Sequence, residues 1–403
     1  MASAHTDTIA DPPGGTAAGA RGDTIAGAPG RADAETLARE YTALVEGCGM
    51  LDRSERGKLA LTGPDAVEFL NGQVTNELVT LSPGEGRYAA FLTHKGKMLG
   101  DLRILALGGG DAREGADSAS GADAAGGRGP VTAVSELLLD TERVALQALF
   151  DMIRRFKVGY QGELHKRTLE RGLLSLIGPE AGTVAGVEEP PGGLAAGEVE
   201  EPHGPAPAAG VGQPPSLATA EHAHVPVAVD GIDARAVRTD VGIDLICDAA
   251  DTGALLAALR ERGATPVSEA AAECLRIEHG RPRYGIDLDD TVIPQEAGLN
   301  ERAVSFTKGC YVGQETVARL YYKGKPNRHL RGLRLSEPAA TGTQLLLGER
   351  PVGHLASVAV SPTLGPIALA LVRREAEPGS SVSVGEHGVS AEVVVLPFAL
   401  QAG

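Results

Sequence analysis

The sequence has no tryptophan, and only 3% of its 403 residues are aromatic, while Gly and Ala are abundant. Part of that skew belongs to low-complexity stretches that need not fold. An ordered part of about 300 residues and about two domains is therefore expected. No run of about 18 apolar residues occurs, so no segment is expected to span a membrane. The first residues include Asp7 and Asp11 and lack an apolar core segment. That speaks against a secretory signal and fits a mitochondrial transit peptide badly, and a cytoplasmic protein is expected. The formal charge of −16 argues against direct nucleic-acid binding, which needs clustered Lys and Arg. Cysteine is scarce: Cys48, Cys247, Cys274 and Cys310 form no close pair. Neither a disulfide framework nor a zinc site is expected, and free thiols in a reducing compartment are.

Residues 1–35 lack periodicity and read as a disordered tail. Two further runs, 108–130 and 178–221, interrupt well-patterned sequence and read as surface insertions, which cost little closure entropy. His203, His222 and His224 lie in or beside the second insertion and read as solvated loop residues. Elsewhere the pattern mixes strands and helices. Lys58–Thr62 reads as a strand, and Gly63-Pro64-Asp65 opens a helix ending at Asn71-Gly72. Tyr88–Thr93 and Leu99–Leu107 read as strands around a Lys95-Gly96-Lys97 turn. Asp140 or Thr141 is placed to cap a helix bearing Leu149, Met152 and Ile153. Thr252–Arg262 and the stretch after Ser268 read as further helices. From Arg328 onward, short strands alternate with turns, as in a small separate β-barrel. The expected division is a body over 36–326 and a barrel over 327–403.

The densest chemistry lies in Lys308-Gly309-Cys310-Tyr311-Val312-Gly313-Gln314-Glu315, followed by Arg319. A thiol reacts as its thiolate, which neighbouring cations favour, and Lys308 and Arg319 are candidates. Gly309 and Gly313 permit sharp turns and close approach of a ligand. Gln314 and Glu315 add one neutral and one charged polar group. The alternative is a small buried cysteine between two turns. Tyr321 and Tyr322 follow and are placed to hold the loop by packing.

Lys308–Glu315 resembles the K-G-C-Y-x-G-Q-E signature of the YgfZ-type folate-binding family, a branch of the glycine-cleavage aminomethyltransferase superfamily. Leu275-Arg276-Ile277-Glu278, Gly280, Pro282, Gly285, Asp287 and Pro294-Gln295-Glu296 agree with it. So do Phe69-Leu70-Asn71-Gly72-Gln73-Val74-Thr75-Asn76 and Gly96 through Asp101. Gly365–Ala370 and Leu396-Pro397-Phe398 resemble its terminal barrel.

The resemblance implies an α+β folate-binding body with a central hole, plus a small C-terminal β-barrel. It implies tetrahydrofolate or a derivative as cofactor, with Asn76, Asp101, Glu278, Gln295 and Glu296 near it. Carboxylate or amide oxygens suit the donor-rich edge of a pterin. It also implies Cys310 as a functional thiol in assembly or repair of iron–sulfur proteins, including radical enzymes that modify tRNA. Two departures from the aminomethyltransferases stand out. Gly100-Asp101 replaces a pair of acids. Asp240-Val241-Gly242-Ile243-Asp244 lacks the Glu that binds folate in those relatives. An accessory factor is therefore the leading expectation. A tetrahydrofolate-dependent aminomethyltransferase or demethylase, and a scaffold that retains only the fold, are the alternatives.

Overall fold

A computed structural model describes residues 31–109, 134–188, 215–386 and 388–399. The proposed tail lies outside these residues up to position 30. From Arg31 the chain is already the helix Arg31–Glu46, so the expected boundary at 35 falls inside an element. The first expected insertion lies outside the described residues only from 110 to 133. The second is narrower than expected. Residues 178–188 carry the helix Ala181–Ala185, and 215–222 pack back onto the body, leaving 189–214, with His203, outside.

Three sheets organise the fold. A five-stranded antiparallel sheet runs in the order Gly86–Leu92, Met98–Gly108, Val134–Thr141, Gly57–Thr62, Glu163–Lys166. A six-stranded sheet runs Thr265–Pro266, Gly49–Asp52, Arg171–Ile177, Gly242–Asp248, Ile232–Arg238, His224–Val229, with the first pairing parallel. Each body sheet carries helices on its outer face. Phe69, Leu149 and Ile153 cover the first, and Val184, Leu255 and Leu259 the second. The inner faces meet through Leu105 and Leu138 against Leu173, Val237 and Ile246. Burying each such side chain contributes about 1.5–3 kcal/mol.

The third sheet is seven-stranded and antiparallel, in the order Arg350–His354, Gln344–Leu347, Ser381–Val384, Val389–Val394, Arg328–Leu335, Gly365–Arg373, Val358–Ser361. It curls into a half-barrel. Gly353 on one edge comes so close to the strand Gly365–Arg373 that a Cβ there would meet the Leu371 carbonyl at 2.6 Å. The α+β architecture with a curled terminal sheet is therefore as expected.

Local expectations hold in part. Ser268 caps the helix Glu269–Glu278 by accepting from the Ala271 amide. Asp140 does not cap a helix. It is fully buried in a strand between two arginines, and the helix starts only at Leu146. The reason is electrostatic: Arg56 and Arg103 converge there and demand a buried anion.

Candidate functional site

Two polar constellations stand out, one inside the body and one on a surface loop. The inner one starts with the hairpin Gly86–Leu92/Met98–Gly108. Its register sets Ala90 opposite Asp101 and Tyr88 opposite Arg103. Tyr88 and Asp101 are thus diagonal neighbours on one face, within reach of each other. The Tyr88 hydroxyl donates to Asp101 Oδ2 at 2.6 Å. Burial pushes the Asp101 carboxyl up to about 6. Glu142 adds to the rise, while the Tyr88 hydrogen bond and Arg56 oppose it. Burial, with Asp101 beside it, also drives the Tyr88 phenol well above its ordinary value.

Cations and a neutral imidazole surround this pair. The Arg302 guanidinium lies 5.0 Å from the centre of the Tyr88 ring and is paired with Glu221. The His222 ring lies 6.2 Å from that of Tyr88, and among the described residues neither of its nitrogens has a hydrogen-bond partner, the Glu221 carboxylate standing 3.6 Å from Nε2. Burial, reinforced by Arg103 and Arg302, holds its pKa down at about 3. His222 and His224 are buried, not solvated as expected, because the chain after the insertion returns under the first hairpin. Beyond this lies an ion network. Arg103 donates to Asp140 at 2.7 Å and to Asp244 at 2.5 Å, and Arg56 binds Asp140 and Glu142. Burial alone would raise the Asp140 pKa, but the two arginines hold it well below the carboxylate range.

Of the five expected cofactor residues, Asp101 and Asn76 converge. Asn76 Nδ2 donates to the carbonyls of Tyr88 at 2.9 Å and Arg302 at 3.3 Å, so it fixes the frame around Asp101. The other three are turned to different work. Glu278 accepts from Tyr41 at 2.7 Å and from Ser361, tying the body to the terminal sheet. Gln295 Nε2 donates to the Val317 carbonyl at 2.7 Å, and its Oε1 is buried without a partner among the described residues. Glu296 holds Arg328 at 2.9 Å. The acid missing from the expected pair has a steric reason. A Cβ on Gly100 would stand 2.6 Å from the Phe91 ring and 2.7 Å from Ala145. Asp244 is consumed by Arg103 and Ser175, and Asp240 by Arg281.

Tyr88, Arg302, His222 and Glu221 escaped the sequence reading. The hairpin register could have found Tyr88, since both strands and their turn were legible. Nothing in linear order brings 221–222 and 302 to it.

The second constellation is the cysteine loop. Cys310 is exposed, whereas Cys48, Cys247 and Cys274 are buried. Burial pushes the Cys48 and Cys274 thiols up to about 12. Lys308 does not attend the thiol as expected. Its ammonium is buried and donates to the carbonyls of Asn71 at 2.7 Å, Val74 at 2.9 Å and Asn76 at 2.7 Å. Three carbonyls satisfy its three donors, so its role is a latch. Burial lowers its pKa to about 8. The two stretches that carry the family resemblance, 71–76 and 308–315, are thus joined by one side chain.

Tyr311 anchors the loop in a buried cluster with Leu92, Met98 and Val317. Gly313, at φ 84°, faces the Thr93 carbonyl, which a Cβ would meet at 2.6 Å. Gln314 Nε2 donates to the Gly309 carbonyl at 3.4 Å and opens the helix Gln314–Lys323. Glu315 and Arg319 are exposed, and neither forms a hydrogen bond or ion pair among the described residues. Tyr321 stacks on Phe306 at 3.7 Å. Among the described residues, no group of three or more His, Cys, Asp or Glu could hold a metal ion, and no helix is long and apolar enough to cross a membrane.

Comparison with known proteins agrees with the fold. Residues 25–112 match the GCVT N-terminal domain, and residues 328–399 match the glycine cleavage T-protein C-terminal barrel domain. The crystal structure of the glycine cleavage system aminomethyltransferase T from Bartonella henselae superposes with a TM-score of 0.68 at 22% identity, covering 91% of this chain and 90% of that one. The fold is that of the aminomethyltransferases. An aminomethyltransferase of Streptomyces coelicolor is 29% identical over 383 residues, 89% of this chain and 88% of its own. One of Rubrobacter xylanophilus is 27% identical over 366 residues, 89% and 85% respectively. A putative chloroplastic transferase of Arabidopsis thaliana is 24% identical over 359 residues, 87% and 72%. The two matched domains and these relatives are what the chain is similar to, at both ends of its sequence and along most of its length.

Proposed function

We propose that the protein binds a reduced folate against Asp101 and Tyr88 and transfers a one-carbon unit of the aminomethyl type. The carrying observation is Asp101. It is a buried carboxyl raised to about 6, with one side-chain partner, in a fold shared with aminomethyltransferases. The site residues fit a pterin. Asp101 presents a carboxylate, Tyr88 a ring, and His222 a donor and an acceptor that have no hydrogen bond among the described residues. Bound tetrahydrofolate would supply the nitrogens that accept the carbon unit. Asp101 would orient the ring by accepting its N–H groups and would take or return a proton near neutral pH. Arg302, held by Glu221 and stacked on Tyr88, would fix the aromatic wall. Calorimetric titration with tetrahydrofolate tests the binding. Wild type is expected to bind, and Tyr88→Ala to lose affinity by about tenfold or more, a loss of about 1.4 kcal/mol. No binding by wild type overturns the reading.

A second reading has its own observation. Cys310 is the exposed thiol of the four, on a loop fixed by Lys308, Tyr311 and Gly313. As in the YgfZ-type branch, it would serve iron–sulfur proteins, among them radical tRNA-modifying enzymes. Deleting the gene should then lower iron–sulfur enzyme activities. Wild type should restore them and Cys310→Ala, at matched protein levels, should not. Unchanged activities after deletion remove this reading.

A further inference from the structure

Where the terminal sheet joins the body, two arginines face each other. Arg328 begins one strand and Arg373 ends its neighbour, and the register sets them directly opposite. Arg374 follows, its backbone amide bonded to the Asn327 carbonyl at 3.0 Å. Like charges directly opposite on adjacent strands are destabilising. The same three arginines line a cleft of about 390 Å³ together with Glu296, Asn327 and Glu375.

The two acids answer part of that charge, Glu296 by pairing with Arg328 and Glu375 through its electrostatic attraction to Arg350, Arg374 and Arg373. Glu296 takes Nε and Nη2 of Arg328, at 3.2 and 2.9 Å, leaving Nη1 without a described partner. Glu375 pairs with Arg350 at 3.2 Å. Neither the Arg373 nor the Arg374 side chain forms a hydrogen bond or ion pair among the described residues. Three guanidinium groups with free donors thus converge on one cleft, in a chain whose net charge is −16. Guanidinium forks match the paired oxygens of phosphoryl and carboxylate groups.

We propose that this seam is a binding site for a small multivalent oxyanion carrying phosphoryl or paired carboxylate groups. The anion sits between Arg373 and Arg374, meets the free edge of Arg328, and relieves the repulsion across the strand pair. The site shares no lining residue with the Asp101 centre and stands whether or not that centre binds folate.

The test is calorimetric titration of the full chain with pyrophosphate as the phosphoryl probe and citrate as the carboxylate probe. At least one is expected to bind, and the Arg373→Gln/Arg374→Gln variant is expected to lose about tenfold or more in affinity. Whichever anion binds more tightly assigns the ligand class. Melting in anion-free buffer is the second readout. Arg373→Gln should melt no lower than wild type, because it removes a like-charge pair, whereas a structural arginine would lower the melting point. If the double variant fails to fold, Arg373→Gln alone carries the binding comparison. No binding of either anion at about 1 mM, or equal binding by the folded variant, overturns the proposal.

Discussion

Asp101 carries an unusual pH signature. Its folded pKa of about 6 lies above the ordinary 3.8. Between those values the folded protein keeps a proton that the unfolded chain has lost, so its contribution to stability falls as pH rises through that window. At pH 7.5, Asp101→Asn should therefore stabilise the protein, by about 1–3 kcal/mol, while lowering transfer by about 10²–10⁴-fold. Thermal melts and single-turnover assays check the two halves. A variant that melts lower and stays active contradicts the assignment. His222 acts in the opposite sense. Its pKa drops from 6.5 to about 3, so its contribution is present above 6.5 and lost as pH falls toward 3. His222→Gln should flatten the acid limb of the stability curve measured by urea unfolding. An unchanged acid limb would show that the imidazole is not held neutral.

The cysteine loop is the element whose behaviour depends most on one side chain. Lys308→Met keeps the stem and removes three charge-assisted hydrogen bonds to buried carbonyls. A loss of about 3 kcal/mol is expected, together with faster proteolysis within 305–313. Unchanged melting and cleavage would show that the latch is dispensable. At this scale the sequence was readable where local rules decide. The Ser268 cap, the hairpin around Lys95-Gly96-Lys97 and the alternating terminal strands follow from capping, turn and period-2 patterns. It was unreadable where partners are remote. Asp140 looked like a cap because nothing nearby shows that Arg56 and Arg103 will enclose it. Lys308 looked like a partner of Cys310 because the carbonyls it binds lie more than 230 positions earlier. His222 looked solvated because its neighbours in sequence are Pro- and Gly-rich.

Across the whole molecule, the terminal sheet is fastened to the body by Glu278 and by the Phe398 amide, which donates to the Glu278 carbonyl at 2.9 Å. Glu278→Ala removes the charged acceptor of the Tyr41 and Ser361 hydroxyls, which keep only Thr363 as a side-chain partner, and should cost about 1–3 kcal/mol. Its tetrahydrofolate affinity should match wild type, because the carboxylate faces the sheet. A folded variant with weakened folate binding would return Glu278 to the pocket. The terminal sheet and the body were both legible as folding units, whereas the site between Tyr88, Asp101, Arg302 and His222 exists only once the chain is closed. The central claim is that this site performs one-carbon transfer. The most direct measurement is a single turnover of the purified chain with tetrahydrofolate and an aminomethylated donor protein, followed by the appearance of methylenetetrahydrofolate. The account predicts formation by wild type, rising with pH about a midpoint near 6 as Asp101 ionises, and loss in Asp101→Asn. No product above background from a wild-type protein that binds tetrahydrofolate would contradict it.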